Sequence, residues 1–242
     1  MSIGRGQVIL PRFFSMTDTK PMAPIHREYS REVQQYFHRL FPRRQWQVFR
    51  DVSAKPMAID VELLYPTVEE PFYLLHTMGM SANPMTYPTG DVVKEREVYS
   101  ELCLMLPATW PFRNMSHLTL AEEAAWPIWL LMELGRFPHV HHIWMSYGFV
   151  LPNGEHSEPF SRQTELCGVV IVQFEGELGE MTMHDGTVLN LLMPVPLYKN
   201  EIALCDSLGV DTVVDSILER NNGSFLLDMK RAPLAGVRAK RR

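Results

Sequence analysis

Residues 58–78, AIDVELLYPTVEEPFYLLHTM, contain two apolar runs separated by a short polar connection. In the first run apolar residues stand at every second position, which is typical of a β-strand with one buried face. These residues are Ile59, Val61, Leu63 and Tyr65. The second run covers residues 72–78 and ends at Gly79. Because only residues 67–71 lie between the runs, we expect the two strands to form a β-hairpin.

Further helices and strands are predicted on both sides of this hairpin. Helical spacing of apolar residues predicts a helix over residues 24–40, and alternation predicts a strand around Trp46 and Val48. Apolar, β-branched and aromatic runs predict four later strands. These cover residues 98–106, 143–151, 166–174 and 188–195. Residues 120–137 have helical content, but the interior Pro127 requires either a kink there or a helix that begins near Trp126.

Two helices, over residues 200–208 and 211–220, complete the pattern. This order lacks the regular alternation of a doubly wound parallel sheet. We therefore expect an α+β fold, with a mixed or antiparallel sheet and helices packed on one side. Residues 1–23 form an extended lead-in, residues 24–222 the domain and residues 223–242 a basic C-terminal tail. The tail could solubilise the chain, contact phosphates or fold back on the acidic body.

The composition is that of a globular protein in a reducing compartment. The chain has 242 residues, of which 46% are hydrophobic and 21% are charged, enough to bury a core. It contains neither an apolar run long enough to span a membrane nor the apolar segment of a signal peptide. Its cysteines, Cys103, Cys167 and Cys205, are too few and too widely spaced for a disulfide framework. We expect a cytoplasmic protein.

The charges are distributed unevenly along the chain. Residues 51–229 carry eight basic and twenty-five acidic side chains, a net charge of −17, whereas residues 1–50 and 230–242 are basic. A negative field of this size repels nucleic acid and accelerates association with cationic proteins. The main body is therefore not expected to bind nucleic acid directly.

Motifs for catalysis and for cofactor binding are absent from the sequence. It has no HExxH, GxGxxG, GxxxxGK[ST] or GxSxG motif, and Ser81 is expected to shape a turn. The densest group of possible metal ligands is His139, His141 and His142. On an extended segment His139 and His141 would point the same way, about 7 Å apart. One alternative is therefore a metal-dependent enzyme centred on these histidines. The other is that they are ordinary loop histidines, either hydrogen-bonded or exposed. We predict neither a cofactor nor catalysis.

The acidic residues suggest a binding surface. Asp211, Asp215 and Glu219 follow one another at intervals of four and would form one stripe on the last helix. A second group consists of Glu175, Glu177, Glu180 and Asp185. Both groups fit either a solvated face or a docking surface for a basic protein.

Five segments, in order along the chain, resemble the suppressor of fused family. They are 59–66, 74–85 with Gly79-Met80-Ser81, 101–107 followed by Trp110, 126–134 beginning Trp126-Pro127, and 192–194 with Pro194 leading to Glu201. The resemblance covers about residues 45–220 and implies an α+β fold. It also implies protein binding without catalysis, since the family motif defines no catalytic residue.

Two roles follow from this resemblance. Stand-alone bacterial relatives are thought to be immunity proteins, or antitoxins, and animal members restrain a transcription factor with the help of a second domain that this chain is expected to lack. Our leading hypothesis is an immunity protein whose acidic surface neutralises a basic toxin domain. The alternative is a scaffold that takes a peptide strand on a sheet edge.

Overall fold

The computed structural model describes residues 27–52, 57–87, 98–112 and 118–236. Within these ranges the α-helices are α1 (Arg27–Leu40), α2 (Trp126–His141), α3 (Lys199–Leu208) and α4 (Val210–Arg220). The first four strands are β1 (Trp46–Phe49), β2 (Asp60–Leu64), β3 (Phe72–Met78) and β4 (Ser100–Pro107). They are followed by β5 (Val150–Pro152), β6 (Gly168–Gln173), β7 (Glu180–Thr182) and β8 (Val188–Leu197). The predicted lead-in, residues 1–23, lies outside the described residues.

The strands form one mixed sheet in the order β1-β2-β3-β4-β8-β6-β5, with β7 also paired to β8. The predicted hairpin is present, because β2 and β3 pair antiparallel with Leu63 opposite Leu75. The pair β4 and β8 is parallel, with Ser100 opposite Asn190, while the other pairs are antiparallel. The predicted α+β fold with a mixed sheet is thus confirmed.

Helices cover both faces of the sheet, so the expectation that they lie on one side is wrong. On one face α2 packs on Val61, Leu104 and Ile171 in one core cluster. On the other face α1, α3 and α4 pack on Leu74, Val170 and their neighbours in a second cluster. Successive positions along β6 and β8 are therefore buried, as in the central strands of a sheet with two covered faces.

The helix predicted over residues 120–137 begins at Trp126 and ends later than expected. Pro127 lies in its first turn, where the missing N–H leaves no hydrogen bond unmade. The helix continues through Pro138 to His141, and His142 ends it with a positive φ of 52°.

The strand predicted over residues 143–151 is mostly wrong. Only residues 150–152 form a strand, β5, although Met145 is completely buried. Apolar side chains of residues 143–149 pack into the core from a loop. Gly148, with a φ of 83°, then directs the chain into β5.

Residues 224–236 lie against the body of the domain, where Leu227 and Leu234 are buried. The last basic residues of the tail, from position 238, lie outside the described part of the chain. All three cysteines are buried thiols. Within the described ranges no helix is long and apolar enough to cross a membrane.

Candidate interaction surface

The predicted acidic stripe lies on the exposed side of α4. Asp211, Asp215 and Glu219 are exposed, whereas Val213 and Ile217 on the opposite side of the helix are buried. The carboxylates therefore point away from the core on a helix that is held rigidly by its apolar side.

Tyr147, from the loop before β5, lies beside this stripe. Its hydroxyl donates a 2.5 Å hydrogen bond to Asp211, and 49% of the residue is exposed. This hydrogen bond, together with partial burial, raises the pKa of Tyr147 to about 12. An exposed aromatic ring beside carboxylates can contact Lys or Arg of a partner through its face. Sequence reasoning did not select Tyr147, since nothing in the sequence links it to a helix 64 residues further on.

The second acidic group lies on the segment between β6 and β8. Glu175, Glu177, Glu180 and Asp185 are all exposed. The same segment contains a short 3-10 turn, Gly176–Leu178, and the edge strand β7.

Three side chains of α1 hold this segment in place. Tyr36 donates a hydrogen bond of 2.7 Å to the carbonyl of Glu177, and Glu32 accepts one of 2.8 Å from the backbone N–H of His184. Tyr29 donates a 2.5 Å hydrogen bond to Asp185. That bond is the main reason why the pKa of Asp185 is lowered to about 2. The first acidic group lies on α4 and the second on a segment bound by α1, and both helices pack in the same core cluster.

The histidine cluster does not have the predicted extended geometry. His139 is buried within α2, where its Nε2 lies 2.9 Å from the carbonyl oxygen of Met80. Burial lowers the pKa of His139 to about 4, so its imidazole is neutral at pH 7. His141 and His142 are exposed. Because residues 139–141 are helical, His139 and His141 point in different directions, and the part of the chain described contains no group of three or more side chains that could hold a metal ion.

The Gly79-Met80-Ser81 motif encloses a buried carboxylate, Glu101 of β4. Glu101 accepts hydrogen bonds from the backbone N–H of Gly79 (2.9 Å) and of Ser81 (3.1 Å) and from the Ser81 hydroxyl (2.6 Å). Its other oxygen accepts a 2.5 Å bond from the Thr77 hydroxyl. Gly79 has a φ of 121°, and a Cβ there would lie 2.6 Å from the carbonyl oxygen of Ala58. The motif is therefore structural, as predicted for Ser81.

The remaining motif residues also have internal roles. The indole N–H of Trp110 donates to Ala124 at 2.9 Å, and the ring of Trp126 stacks on Phe160. Pro194 lies within β8 opposite Ile171. Glu201 is completely buried and accepts hydrogen bonds at the first turn of α3.

A second buried carboxylate, Glu62, anchors α1 to the sheet and was not selected from the sequence. Its oxygens lie 2.9 Å from His76 Nε2, 3.1 Å from His38 Nε2 and 2.7 Å from the amide of Gln34. Burial alone would raise the pKa of Glu62, but His76, Gln34 and His38 together lower it. The only signal for it in the sequence is an acidic residue inside an apolar run.

Three solved structures with a similar arrangement of sheet and helices are suppressor of fused structures. A suppressor of fused homologue from Neisseria gonorrhoeae matches with a TM-score of 0.56 at 14% identity, over 85% of this chain and 96% of that one. The protein in a Sufu–Fu complex matches with a TM-score of 0.62 at 13% identity, over 87% and 92%. Drosophila Suppressor of Fused matches with a TM-score of 0.57 at 14% identity, over 86% of this chain and 51% of that one.

The family model of the suppressor of fused protein (SUFU) matches residues 55–232. This chain belongs to the suppressor of fused family. A search of curated proteins finds no match. At these low identities the solved structures establish the fold.

Proposed function

We propose that this chain is a non-enzymatic protein-binding domain that acts as an immunity protein and neutralises a basic toxin. The observation that carries the proposal is the exposed position of both acidic groups on elements fixed to the core. Rigid, unburied carboxylates attract a cationic partner over a distance and can occupy a groove built for phosphates. The Sufu–Fu complex supports the binding role, because it shows a protein of this fold with a protein partner.

Capture of the partner tests the binding role. The untagged protein would be immobilised, exposed to an extract of its own cells and eluted along a salt gradient, with mass spectrometry of the eluate. We expect a stoichiometric basic protein that is released as the salt concentration rises, and its toxicity should be suppressed by the added chain. Retention of no basic protein would contradict the proposal.

Charge-reversal variants test the surface itself. The first variant combines Asp211→Lys, Asp215→Lys and Glu219→Lys. The control reverses three other exposed carboxylates, at Glu69, Glu155 and Glu158, and so has the same net charge. We expect the first variant to slow association with the captured partner by about tenfold or more and to flatten its salt dependence. Equal effects of both variants would show that only net charge matters.

One observation favours the peptide-scaffold alternative. β1 is at the end of the strand order, and Trp46 on it is 52% exposed. A terminal strand offers backbone groups to an added strand, and Trp46 would supply an anchor. Under this alternative, Trp46→Ala would abolish partner retention while the α4 reversal would not.

A further inference from the structure

The strands β4 and β8 lie side by side but pair for only three residues. Their parallel register runs from Ser100–Asn190 to Leu102–Leu192, after which β4 remains paired with β3 and β8 with β6. Leu197 on β8 directs its carbonyl towards β6, where it accepts a 2.8 Å bond from Cys167. Backbone groups along a strand point alternately to its two neighbours, so those of Pro194 and Pro196 point away from β6 and towards β4. Because proline has no backbone N–H, neither position leaves a donor without a partner on that side. A groove therefore opens between the second halves of β4 and β8.

Residues 224–234, which we call the strap, fill this groove without forming a helix or a strand. The backbone N–H of Leu227 donates to the carbonyl of Met105 on β4 at 2.9 Å. The Leu227 side chain is 5% exposed and lies in the core cluster on the α2 face. A small cavity of about 30 Å³ remains between the strap and the groove, lined partly by Leu104, Pro194 and Phe225. The strap therefore fills the groove apart from this small cavity.

An arginine pocket lies four residues beyond Leu227. Both oxygens of the fully buried Glu201 accept 2.5 Å bonds from the guanidinium of Arg231. The carbonyl of Pro196 accepts a third bond at 2.9 Å. The guanidinium carbon also lies 4.9 Å from the centre of the Tyr198 ring. Two carboxylate oxygens, a carbonyl and an aromatic face match the planar, five-donor guanidinium group, which a lysine ammonium could not reproduce.

We propose that the groove between β4 and β8 is a binding site for an extended segment of a partner protein. That segment carries an apolar residue and, four positions later, an arginine, and the strap is the intrachain occupant that it replaces. Among the strap's contacts are three that a peptide from another chain could also make: a backbone N–H to Met105, an apolar side chain in the core and a guanidinium to Glu201. This inference does not depend on the acidic surface or on the identity of a toxin.

The test adds the strap sequence to the protein as a separate peptide. A fluorescein-labelled peptide of residues 222–236 would be titrated with full-length wild type, Arg231→Ala and Lys230→Ala, and binding followed by fluorescence anisotropy. Lys230→Ala is the matched control, since it removes a neighbouring exposed charge. We expect Arg231→Ala to bind the peptide about 30-fold or more tightly than wild type or the control, because its own strap no longer fills the pocket. A peptide with Ala at its arginine position should bind at least about tenfold more weakly.

Two results would overturn the proposal: no binding to folded Arg231→Ala, or equal binding of the two peptides. Because loss of Arg231 leaves Glu201 buried without its cation, the variant could fail to fold. In that case amide hydrogen exchange of the wild type tests whether the strap leaves the groove while the rest of the domain stays folded. The amides of Leu227 and Leu234 should exchange at least about tenfold faster than that of Val195, which lies in the β6–β8 pair. Exchange at the rate of Val195 would show that the strap opens only when the whole domain unfolds.

Discussion

Replacing Glu101 by glutamine tests whether the buried carboxylate holds the motif loop in place. Three donors converge on one oxygen of Glu101, and the Thr77 hydroxyl donates to the other. In the best orientation, glutamine keeps its carbonyl towards the three donors and turns its NH2 towards Thr77. The Thr77 oxygen already accepts the N–H of Leu102 at 2.8 Å. It can accept the NH2 with its second lone pair only if its own proton turns towards the Leu102 carbonyl, 3.5 Å away.

The magnitude follows from these contacts. Four hydrogen bonds to a charged group, worth about 1.5–3 kcal/mol each, become neutral bonds worth about 0.5–1.5 kcal/mol, and the lower cost of burying an uncharged amide offsets part of this difference. We expect Glu101→Gln to lower the free energy of unfolding by about 3 kcal/mol, a large share of the roughly 5–15 kcal/mol of a typical domain.

Urea unfolding followed by circular dichroism measures this change, and an unchanged m-value would show that the folded and unfolded states expose the same surface as before. The exposed Glu158→Gln is the control and should stay within about 0.5 kcal/mol of wild type. A Glu101→Gln variant as stable as this control would refute the structural role that we assign to the motif.

Three further predictions follow from the same interior. Gly79→Ala should cost about 2–3 kcal/mol in urea unfolding, since the new Cβ combines a positive φ with a 2.6 Å contact to Ala58. Because the folded-state pKa of His139 is about 4, below its unfolded value of 6.5, its stabilising effect is complete above pH 6.5 and is lost as pH falls towards 4. In the wild type, the free energy of unfolding should therefore fall by about 3 kcal/mol more between pH 7 and pH 4 than it does in His139→Asn. The exposed His141→Asn should show the same fall as the wild type. Treatment with a chelator should leave the melting temperature unchanged, whereas a fall would reveal a structural metal.

Local pattern predicted most helices and strands, because the signals for them are contained in short segments. Helix α4 follows from periodicity, and the hairpin follows from two apolar runs joined by the short connection at residues 67–71. The three-residue strand β7 was missed, because residues 180–182 contain a single apolar side chain at Met181. Coverage of both faces was also missed, although β8 is apolar at every position except Asn190, which is the usual sign of a strand buried on both sides.

The candidate site was predictable only where it lies on one regular element. The α4 stripe is such a case, since a spacing of four residues fixes a helix face. Tyr147 and the Glu201–Arg231 pair depend on contacts between distant segments, and no periodicity encodes them. The extended geometry expected for the histidine cluster was wrong for a related reason. Helix α2 continues through Pro138, so residues 139–141 are helical.

The residues that carry the family resemblance and the residues proposed to bind a partner occupy separate parts of the molecule. The polar groups of three motif residues are buried, in Glu101, Trp126 and Glu201. These residues therefore affect whether the chain folds, and they do not determine which side chains are exposed on its surface. The carboxylates on α4 have the opposite character, because the buried side of that helix is apolar and does not need them. Motif variants should therefore lower stability while the folded fraction keeps its partner affinity. The α4 reversal should lower affinity with a smaller loss of stability, which comes from the Tyr147–Asp211 hydrogen bond and the charge at the start of the helix. On this reasoning, family membership predicts the scaffold, and the proposed choice of partner depends on the exposed charges, which the family motif leaves free to vary.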